Sequence, residues 1–228
     1  EVLDRQARPT QRRILAESEV MLPDRKVEMF IKKEPYANVK DPRPISIMNG
    51  VDKREYSKYL YAFEAVMKRQ PWYAFGQTPK HIATRVASIL EHAQSAVNTD
   101  FSRFDGHGSN VMRELEKVIL MRAFRVKYHP ELLELHRAQF MLKAYASFGT
   151  KYSTEYSRAS GSPETSLFNT FVNAFVAFLA LRMTRVNGLF ITATEAFSRL
   201  GIYGGDDGLT SDVSPSTYRR AASSIGQD

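Results

Sequence analysis

Cysteine is absent from the 228 residues, and no apolar leader opens the chain. The lack of cysteine excludes disulfides, a thiol nucleophile and thiolate metal ligands, and it fits a reducing compartment. The charged beginning is unlike a signal peptide. The longest apolar run, residues 168–181, is too short to cross a bilayer and is interrupted by Asn169 and Asn173, so we predict no membrane span in this chain.

Internal repeats, low-complexity tracts and histidine metal motifs are also missing. The five histidines lack the His-Glu-x-x-His spacing of a zinc site, so we interpret them as structural or surface residues. What is present is 43% hydrophobic residues, enough for a substantial core, and a net charge of +7, which suits a polyanionic partner. The length allows one large domain or two small ones.

Two adjacent carboxylates, Asp206 and Asp207, stand between glycines near the end of the chain. Residues 202–203 before them and 209–210 after them are apolar or β-favouring, so the segment predicts a β-hairpin with both acids at its tip. Like charges this close repel each other. Mg²⁺ or Mn²⁺, which prefer carboxylate oxygens, would remove the repulsion. The alternative is an ordinary solvated acidic turn.

A basic ribbon is predicted nearer the start of the chain. Residues 27–31 alternate as a strand does, and Pro42 and Pro44 then impose an extended segment that cannot be a central strand. The basic residues on its two arms are Lys32, Lys33, Lys40 and Arg43. They could line a channel for a triphosphate or a nucleic-acid backbone. An exposed edge ribbon kept soluble by its charge explains them equally well.

A third feature of the sequence is the pair of carboxylates Asp100 and Asp105. A short strand is predicted to end at Asp100, and Asp105 follows five positions later. That spacing puts the two side chains on different faces of a strand or a helix, so both reach one cavity only if the chain turns between them. Either residue alone is more simply a turn or cap carboxylate. Helices are predicted at residues 53–69, 78–93, 111–127, 130–148 and 165–182, and a further strand at 152–156.

The helix at 165–182 is apolar almost all round, which is typical of a buried helix. Thr165, Asn169 and Asn173 form one polar stripe along it at intervals of four. The stripe follows a loop of small residues that contains Ser160 and Gly161. Buried polar groups need partners, so the stripe either pairs locally or faces a polar ligand, and the small-residue loop favours the ligand slightly.

Taken in order, these motifs resemble the RNA-dependent RNA polymerases of positive-strand RNA viruses. The resemblance is carried by the basic ribbon (motif F), Asp100 and Asp105 (motif A), Gly161-x₃-Thr165-x₃-Asn169 (motif B) and Gly205-Asp206-Asp207 (motif C). Phe30-Ile31-Lys32-Lys33-Glu34 and Lys40-Asp41-Pro42-Arg43 look most like the tombusvirus and nodavirus side of that group. Four ordered motifs across residues 32–207 are specific, whereas each alone is weak.

The resemblance implies an α+β fold, the right-hand polymerase, with a palm of antiparallel sheet backed by helices and with helical fingers. Residues 1–95, which include the basic ribbon, and an insertion at 128–156 would be fingers; residues 96–127 and 157–228 would be palm. The family's thumb, and its next palm element with a lysine general acid, have no counterpart in this chain. We therefore expect the chain on its own to be weak or inactive as a polymerase.

The resemblance also implies nucleotidyl transfer with two divalent ions, Mg²⁺ or Mn²⁺. Asp100 and Asp206 would hold the ions, with Asp207 in an auxiliary role, and the basic ribbon would neutralise triphosphate and template phosphates. Asp105 would accept a hydrogen bond from the ribose 2′-OH, and Asn169 would hold Asp105 or the hydroxyl itself. The group assigned to ribonucleotide selection comprises Asp105, Ser160, Gly161, Thr165 and Asn169.

The partners implied are an RNA template, the nascent strand and ribonucleoside triphosphates, with the oligomeric state open. The implied location is the host cytoplasm, at membrane-associated replication complexes reached through parts outside this chain. Two other functions remain open. One is a reverse-transcriptase-like polymerase, although those enzymes carry a bulky aromatic residue near the position where Asp105 stands. The other is a non-catalytic RNA-binding replication scaffold, which the missing elements and the positive charge favour.

Overall fold

The computed structural model describes residues 2–35, 37–39, 41–147 and 149–228. Contacts within the chain divide it into two compact units. The first unit comprises the residues up to Ala62 together with Leu115–Thr165, and the second comprises Phe63–Glu114 together with Ser166–Asp228. Each unit combines helices with a sheet, so the predicted α+β class is confirmed.

Helices and strands follow one another irregularly along the chain. The helices are α1 (Pro9–Glu17), α2 (Gly50–Met67), α3 (Pro79–Glu91), α4 (Asn110–Ala123), α5 (His129–Arg137), α6 (Thr165–Met183), α7 (Ala193–Ser198) and α8 (Pro215–Ser224). The strands are β1 (Lys26–Ile31), β2 (Pro44–Ile47), β3 (Ala96–Thr99), β4 (Lys143–Ala146), β5 (Lys151–Ser153), β6 (Arg185–Val186), β7 (Leu189–Phe190), β8 (Ile202–Gly204) and β9 (Asp207–Ser211). Most predicted helices are present with ends shifted by a few residues, as is usual for helix ends.

The sheet of the first unit has four strands in the order β2-β1-β4-β5. β1 pairs antiparallel with β2 and parallel with β4. Pro44 has no N–H to donate, which explains why β2 lies at the edge, as the sequence predicted. The buried cluster that closes this part of the unit comprises Val27, Met48, Leu142, Ala144 and Ala159. The predicted ribbon is therefore one edge of a larger sheet.

The prediction of a single helix across residues 130–148 is wrong. Helix α5 ends at Arg137, and β4 begins at Lys143. Met141 between them has a positive φ of 57°, which no helix allows. Its N–H donates to the carbonyl of Glu155, and the N–H of Leu142 donates to the Thr154 hydroxyl. Pairing with the β5 region therefore overrides the helical pattern that the leucines suggest.

The second unit contains a three-stranded antiparallel sheet in the order β3-β9-β8. Helix α6 supplies much of the core, because Leu167, Phe168, Val172, Val176 and Leu181 are all buried. By length and composition alone, α6 could also cross a membrane, but 61% of its apolar window is buried inside the protein. That burial is the property of a core helix.

A short hairpin and a helix separate α6 from the acidic hairpin, and the sequence prediction missed both. β6 and β7 pair around Asn187 and Gly188, whose φ values are 50° and 83°. Positive φ at both loop residues defines a type I′ turn, for which Asn-Gly is the preferred pair. That dipeptide was therefore a usable local signal. Helix α7 follows, with the Thr192 side chain accepting a hydrogen bond from the Glu195 N–H as its N-cap.

Candidate active site

The acidic hairpin joins β8 to β9 with Gly205 and Asp206 as its two loop residues. Gly204 pairs with Asp207 across the base of the loop, so Asp207 begins β9 and only Asp206 is at the tip itself. Gly205 has a φ of +71°, and the first position of a two-residue hairpin loop favours glycine for that reason. Both carboxylate side chains belong to exposed residues. The predicted hairpin is present. Asp206 is a loop residue of its tip, whereas Asp207 is the first residue of the following strand.

Asp100 reaches the same end of the sheet from the other side. β3 runs antiparallel to β9, and Thr99, its last residue, pairs with Gly208. The next position on the two strands would bring Asp100 opposite Asp207, and neighbouring strands lie about 4.8 Å apart. Asp100 is exposed, as Asp206 and Asp207 are. Three exposed carboxylates at one sheet end supply the hard oxygen donors that Mg²⁺ or Mn²⁺ prefers, so the donor set fits a divalent metal site.

Gly208 allows the close approach of β3 to the hairpin. A Cβ on Gly208 would lie 2.7 Å from Thr99 Oγ1 and 2.7 Å from Tyr203 Cδ1. Both distances are well below ordinary van der Waals contact. Any side chain at this position would therefore force Thr99 on β3 or Tyr203 on β8 to shift.

Helix α6 holds the hairpin tip from beneath through two buried side chains. The Gly205 N–H donates to Thr170 Oγ1 at 2.8 Å. Asn173 Nδ2 lies 3.2, 3.0 and 3.0 Å from the carbonyl oxygens of Gly205, Asp206 and Asp207. Thr170 and Asn173 are both fully buried. These two supports were not assigned to the site from the sequence, although Asn173 was recognised as part of the polar stripe.

Asp105 is joined to α6 by a hydrogen bond of 2.7 Å from Asn169 Nδ2 to Asp105 Oδ1. The turn required between Asp100 and Asp105 is present: Arg103 has a φ of 50°, and the N–H of Gly106 donates back to the Arg103 carbonyl. Asp105 is half-buried and Asn169 is buried, so the bond is partly shielded from water.

The polar stripe of α6 is satisfied by the protein itself. Thr165 Oγ1 lies 3.2 and 3.0 Å from the carbonyl oxygens of Ala159 and Ser162, between which its one hydrogen can be shared. Asn169 bonds to Asp105, and Asn173 bonds to the hairpin. Each residue of the stripe thus has a partner within the protein, as the alternative of local pairing requires, and the contact of the stripe with a ligand stays a prediction.

Ser160 and Gly161 belong to the first unit, where their loop packs on β2. Ser160 Oγ accepts from the Ser46 N–H and donates to the Pro44 carbonyl, each at 3.2 Å. A Cβ on Gly161 would lie 1.9 Å from the Ser46 carbonyl oxygen, so only glycine fits there. The sequence-predicted selection group is thus divided: Asp105 and Asn169 lie in the second unit, while Ser160, Gly161 and Thr165 lie in the first.

The basic ribbon lies in the first unit as well. The Lys32 N–H donates to the Arg43 carbonyl at 2.9 Å, so these two residues lie opposite each other on the two arms of the ribbon. Glu34 forms ion pairs with both, to the Lys32 ammonium and, at 3.6 Å, to Arg43 Nη1. Lys33 is exposed, and Lys40 lies outside the described residues. The sequence reasoning had not foreseen that Glu34 shares the two cations.

A buried ionic network, also in the first unit, had no sequence signal. Arg158 Nη1 donates to Glu164 Oε1 at 2.7 Å, and Nη2 donates to Glu116 Oε1. One side-chain nitrogen or oxygen of each of Glu116, His136 and Glu164, of the kind that can bind a metal ion, lies within 4.8 Å of the others. All three residues are buried. The guanidinium already supplies positive charge to both carboxylates. The network therefore serves to fix the loop that carries Ser160, two residues after Arg158, to the start of α6.

Two buried tyrosines complete the surroundings of the acidic hairpin. Burial raises the pKa of Tyr203 to about 12 and also raises the pKa of Tyr218 above its ordinary value. Both phenols therefore stay protonated at neutral pH. Tyr203 Oη lies 2.9 Å from Thr210 Oγ1, and Tyr218 Oη donates to Asn173 Oδ1 at 3.3 Å.

Comparison with known proteins gives a consistent result. Residues 2–188 match the family model described as viral RNA dependent RNA polymerase. The RNA-directed RNA polymerase of greasy grouper nervous necrosis virus is 38% identical over 205 residues, which is 89% of this chain and 20% of that protein. That of Pariacoto virus is 34% identical over 189 residues, covering 81% of this chain and 19% of that protein.

Among solved structures, the RNA-dependent RNA polymerase of a human picobirnavirus superposes with a TM-score of 0.73 and 16% identity. The match covers 89% of this chain and 39% of that one. At this identity the likeness concerns the fold, and the fold is that of the polymerase palm and its attached helices. The chain spans about a fifth of the length of the curated relatives it matches.

Proposed function

Because the chain belongs to the viral RNA-dependent RNA polymerase family, we propose that it forms the catalytic core of an RNA-directed RNA polymerase of a positive-strand RNA virus. The reaction is transfer of a ribonucleotide to a 3′-OH on an RNA template, with release of pyrophosphate. One observation carries the proposal: the pairing of β3 with β9 brings Asp100 to the sheet end where Asp206 and Asp207 stand.

Asp100 and Asp206 are the proposed ligands of two divalent cations, Mg²⁺ or Mn²⁺, and Asp207 is auxiliary. When bound, such ions would lower the pKa of the attacking hydroxyl and would stabilise the charge that develops on the phosphate. The chain's own contribution is positional. It presents three carboxylates on a sheet end that Gly208 keeps narrow, and catalysis of this kind depends mainly on positioning and electrostatics.

Asp105 is the proposed reader of the ribose 2′-OH. Its Oδ1 is engaged by Asn169, and a carboxylate can accept further hydrogen bonds, so a hydroxyl donor can bind to it as well. Deoxynucleotides lack that donor and would leave Asp105 with one partner fewer. This assignment favours ribonucleotides over the deoxynucleotides of a reverse transcriptase.

The proposed partners of the first unit are phosphates. Lys32 and Arg43 are both paired with Glu34, so a triphosphate or template phosphate that binds the ribbon would compete with that carboxylate. Lys33 is exposed beside them. Contacts of this type give salt-dependent, sequence-independent affinity.

The test compares Asp206→Ala and Asp100→Ala with Glu91→Ala, which removes an exposed carboxylate of the same unit that lies on α3. Both site variants should lose Mn²⁺ binding measured by electron paramagnetic resonance, and, within a polymerase that also carries the thumb and the next palm element, they should abolish metal-dependent ribonucleotide incorporation on an RNA primer–template. Glu91→Ala should retain both properties. Incorporation that survives in Asp206→Ala would refute the assignment of the metal site.

A further inference from the structure

The amide of Asn173 makes an unusual set of contacts beneath the acidic hairpin. Its Nδ2 lies within 3.2 Å of three successive backbone carbonyls, those of Gly205, Asp206 and Asp207. Carbonyls of an extended strand point alternately to opposite sides, so three of them can meet one nitrogen only where the chain turns. The Asn173 amide can therefore contact all three carbonyls only when the tip is turned. An extended tip would lose at least one of these contacts.

The orientation of this amide decides whether it attracts or repels the tip. Rotation of the amide by 180° would place Oδ1 against three carbonyl oxygens, where it could accept nothing. In the observed orientation the Tyr218 hydroxyl on α8 donates to Asn173 Oδ1 at 3.3 Å, so both ends of the amide are paired. Burial raises the pKa of Tyr218, so this hydroxyl stays protonated at neutral pH, and it also interacts with the side chains of Thr210 and Thr99.

Burial makes the arrangement sensitive to single atoms. Asn173 is fully buried and Tyr218 is 4% exposed, so water does not readily replace a lost hydrogen bond. Thr170 adds a second attachment by accepting from the Gly205 N–H. Among the described residues, Thr170 and Asn173 hold the tip as neutral groups, and neither reduces the negative charge that Asp206 and Asp207 present.

We propose that Asn173 and Tyr218 are positioning residues of the metal site: Tyr218 fixes the orientation of the Asn173 amide, and the amide fixes the hairpin tip that carries Asp206 and Asp207. The expected effect of these residues on metal affinity rests on the proposed function, in which the acidic tip binds divalent cations. Its structural part, the chain of contacts from Tyr218 through Asn173 to the tip, stands on the geometry alone. In this proposal Tyr218 acts on the tip through Asn173, beside the interactions of its hydroxyl with Thr210 and Thr99.

The test is a double-mutant cycle with Tyr218→Phe, Asn173→Leu and their combination, in the 228-residue chain. Tyr218→Phe deletes one hydroxyl, and Asn173→Leu replaces the amide by an apolar group of similar shape. The control is Tyr56→Phe, which deletes the hydroxyl of another fully buried tyrosine, one that contacts His136 in the first unit. Two readouts are measured: amide hydrogen exchange at Gly205 by NMR, and Mn²⁺ affinity by electron paramagnetic resonance.

Tyr218→Phe should weaken Mn²⁺ binding about threefold, as expected for one neutral hydrogen bond, and Asn173→Leu should weaken it about tenfold, as is usual when a residue behind a metal ligand is lost. Exchange at Gly205 should accelerate in both. Because Tyr218 acts through Asn173, the double variant should match Asn173→Leu alone. Tyr56→Phe should change neither readout.

The outcomes separate this inference from the proposed function. Additive effects in the double variant, or Gly205 exchange that Tyr218→Phe leaves unchanged, would overturn the positioning role even if Mn²⁺ binds as proposed. If the unmodified chain shows no Mn²⁺ binding that Asp206→Asn removes, the metal site itself fails. The exchange at Gly205 then still decides whether Tyr218 and Asn173 hold the tip. Should Asn173→Leu not fold, Tyr218→Phe against its control decides the matter.

Discussion

The two units stabilise their key loops by opposite chemistry. In the first unit, the loop with Ser160 and Gly161 is fixed by charge, since Arg158 binds Glu116 and Glu164 in a site that is almost completely buried. In the second unit, the acidic hairpin is fixed by the neutral side chains of Thr170 and Asn173.

The difference follows from what each loop carries. A guanidinium beneath the acidic tip would neutralise Asp206 and Asp207 and would compete with a divalent cation for them. A neutral amide holds the same backbone without reducing that charge. The loop in the first unit has no acid at its apex, so a buried ion pair can support it, at the risk that removing one partner leaves a buried charge uncompensated.

The strongest test of this contrast is Arg158→Met. It removes the guanidinium that pairs with the buried Glu116 and Glu164, and we expect a loss of about 3–5 kcal/mol in the free energy of unfolding. Denaturant unfolding followed by circular dichroism measures it. The matched control is Arg25→Met, which breaks the exposed pair with Glu134 and should cost less than about 1 kcal/mol. Equal losses in the two variants would remove the distinction between the units.

A smaller effect is expected from Gly208→Ala, which tests how closely β3 and β8 pack against Gly208 in the acidic hairpin of the second unit. The added methyl group would meet Thr99 and Tyr203 at 2.7 Å, and overpacking of this kind costs about 1–3 kcal/mol. Gly188→Ala is the control, since it has a φ of +83° with nothing within 4 Å, so that only backbone strain acts there. Gly208→Ala should also weaken Mn²⁺ binding, whereas Gly188→Ala should not. Unchanged Mn²⁺ affinity in Gly208→Ala would mean that Asp100 and the tip are not held together by this contact.

The smallest of the three effects concerns Asn169→Ala, which removes the amide that holds Asp105. We expect the preference for ribonucleotides over deoxynucleotides to fall about tenfold, which corresponds to about 1.4 kcal/mol. Single-nucleotide incorporation with each substrate measures the preference, and Asn98→Ala, an exposed residue on β3, is the control. Undiminished discrimination in both Asn169→Ala and Asp105→Ala, with activity intact, would contradict the assignment of Asp105 to the 2′-OH.

The parts of the structure that the sequence predicted are those with local causes. The acidic hairpin follows from the glycines around Asp206 and Asp207, and α3 begins where Thr78 caps it and Pro79 follows. Helix α6 follows from its apolar content. In each case the residues that decide the structure are neighbours along the chain.

The parts that the sequence could not predict depend on distant partners. Tyr218 and Asn173 are 45 positions apart, and Arg158 and Glu116 are 42 apart, so nothing local links either pair. Strand β4 was mistaken for helix because its pairing with β1 is also remote in sequence and outweighs local preference. Such contacts become visible only once the register of the sheets is known.

Helix α6 has one consequence that follows from the placement of Asn169, Thr170 and Asn173 within little more than a single turn. The first holds Asp105, and the other two hold the acidic tip, so one helical segment positions both the proposed sugar reader and the proposed metal ligands. A shift or rotation of this helix cannot alter one without the other. Substitutions in its core that tilt it should therefore produce correlated changes in sugar discrimination and cation affinity, and evolution of one property in this chain is constrained by the other.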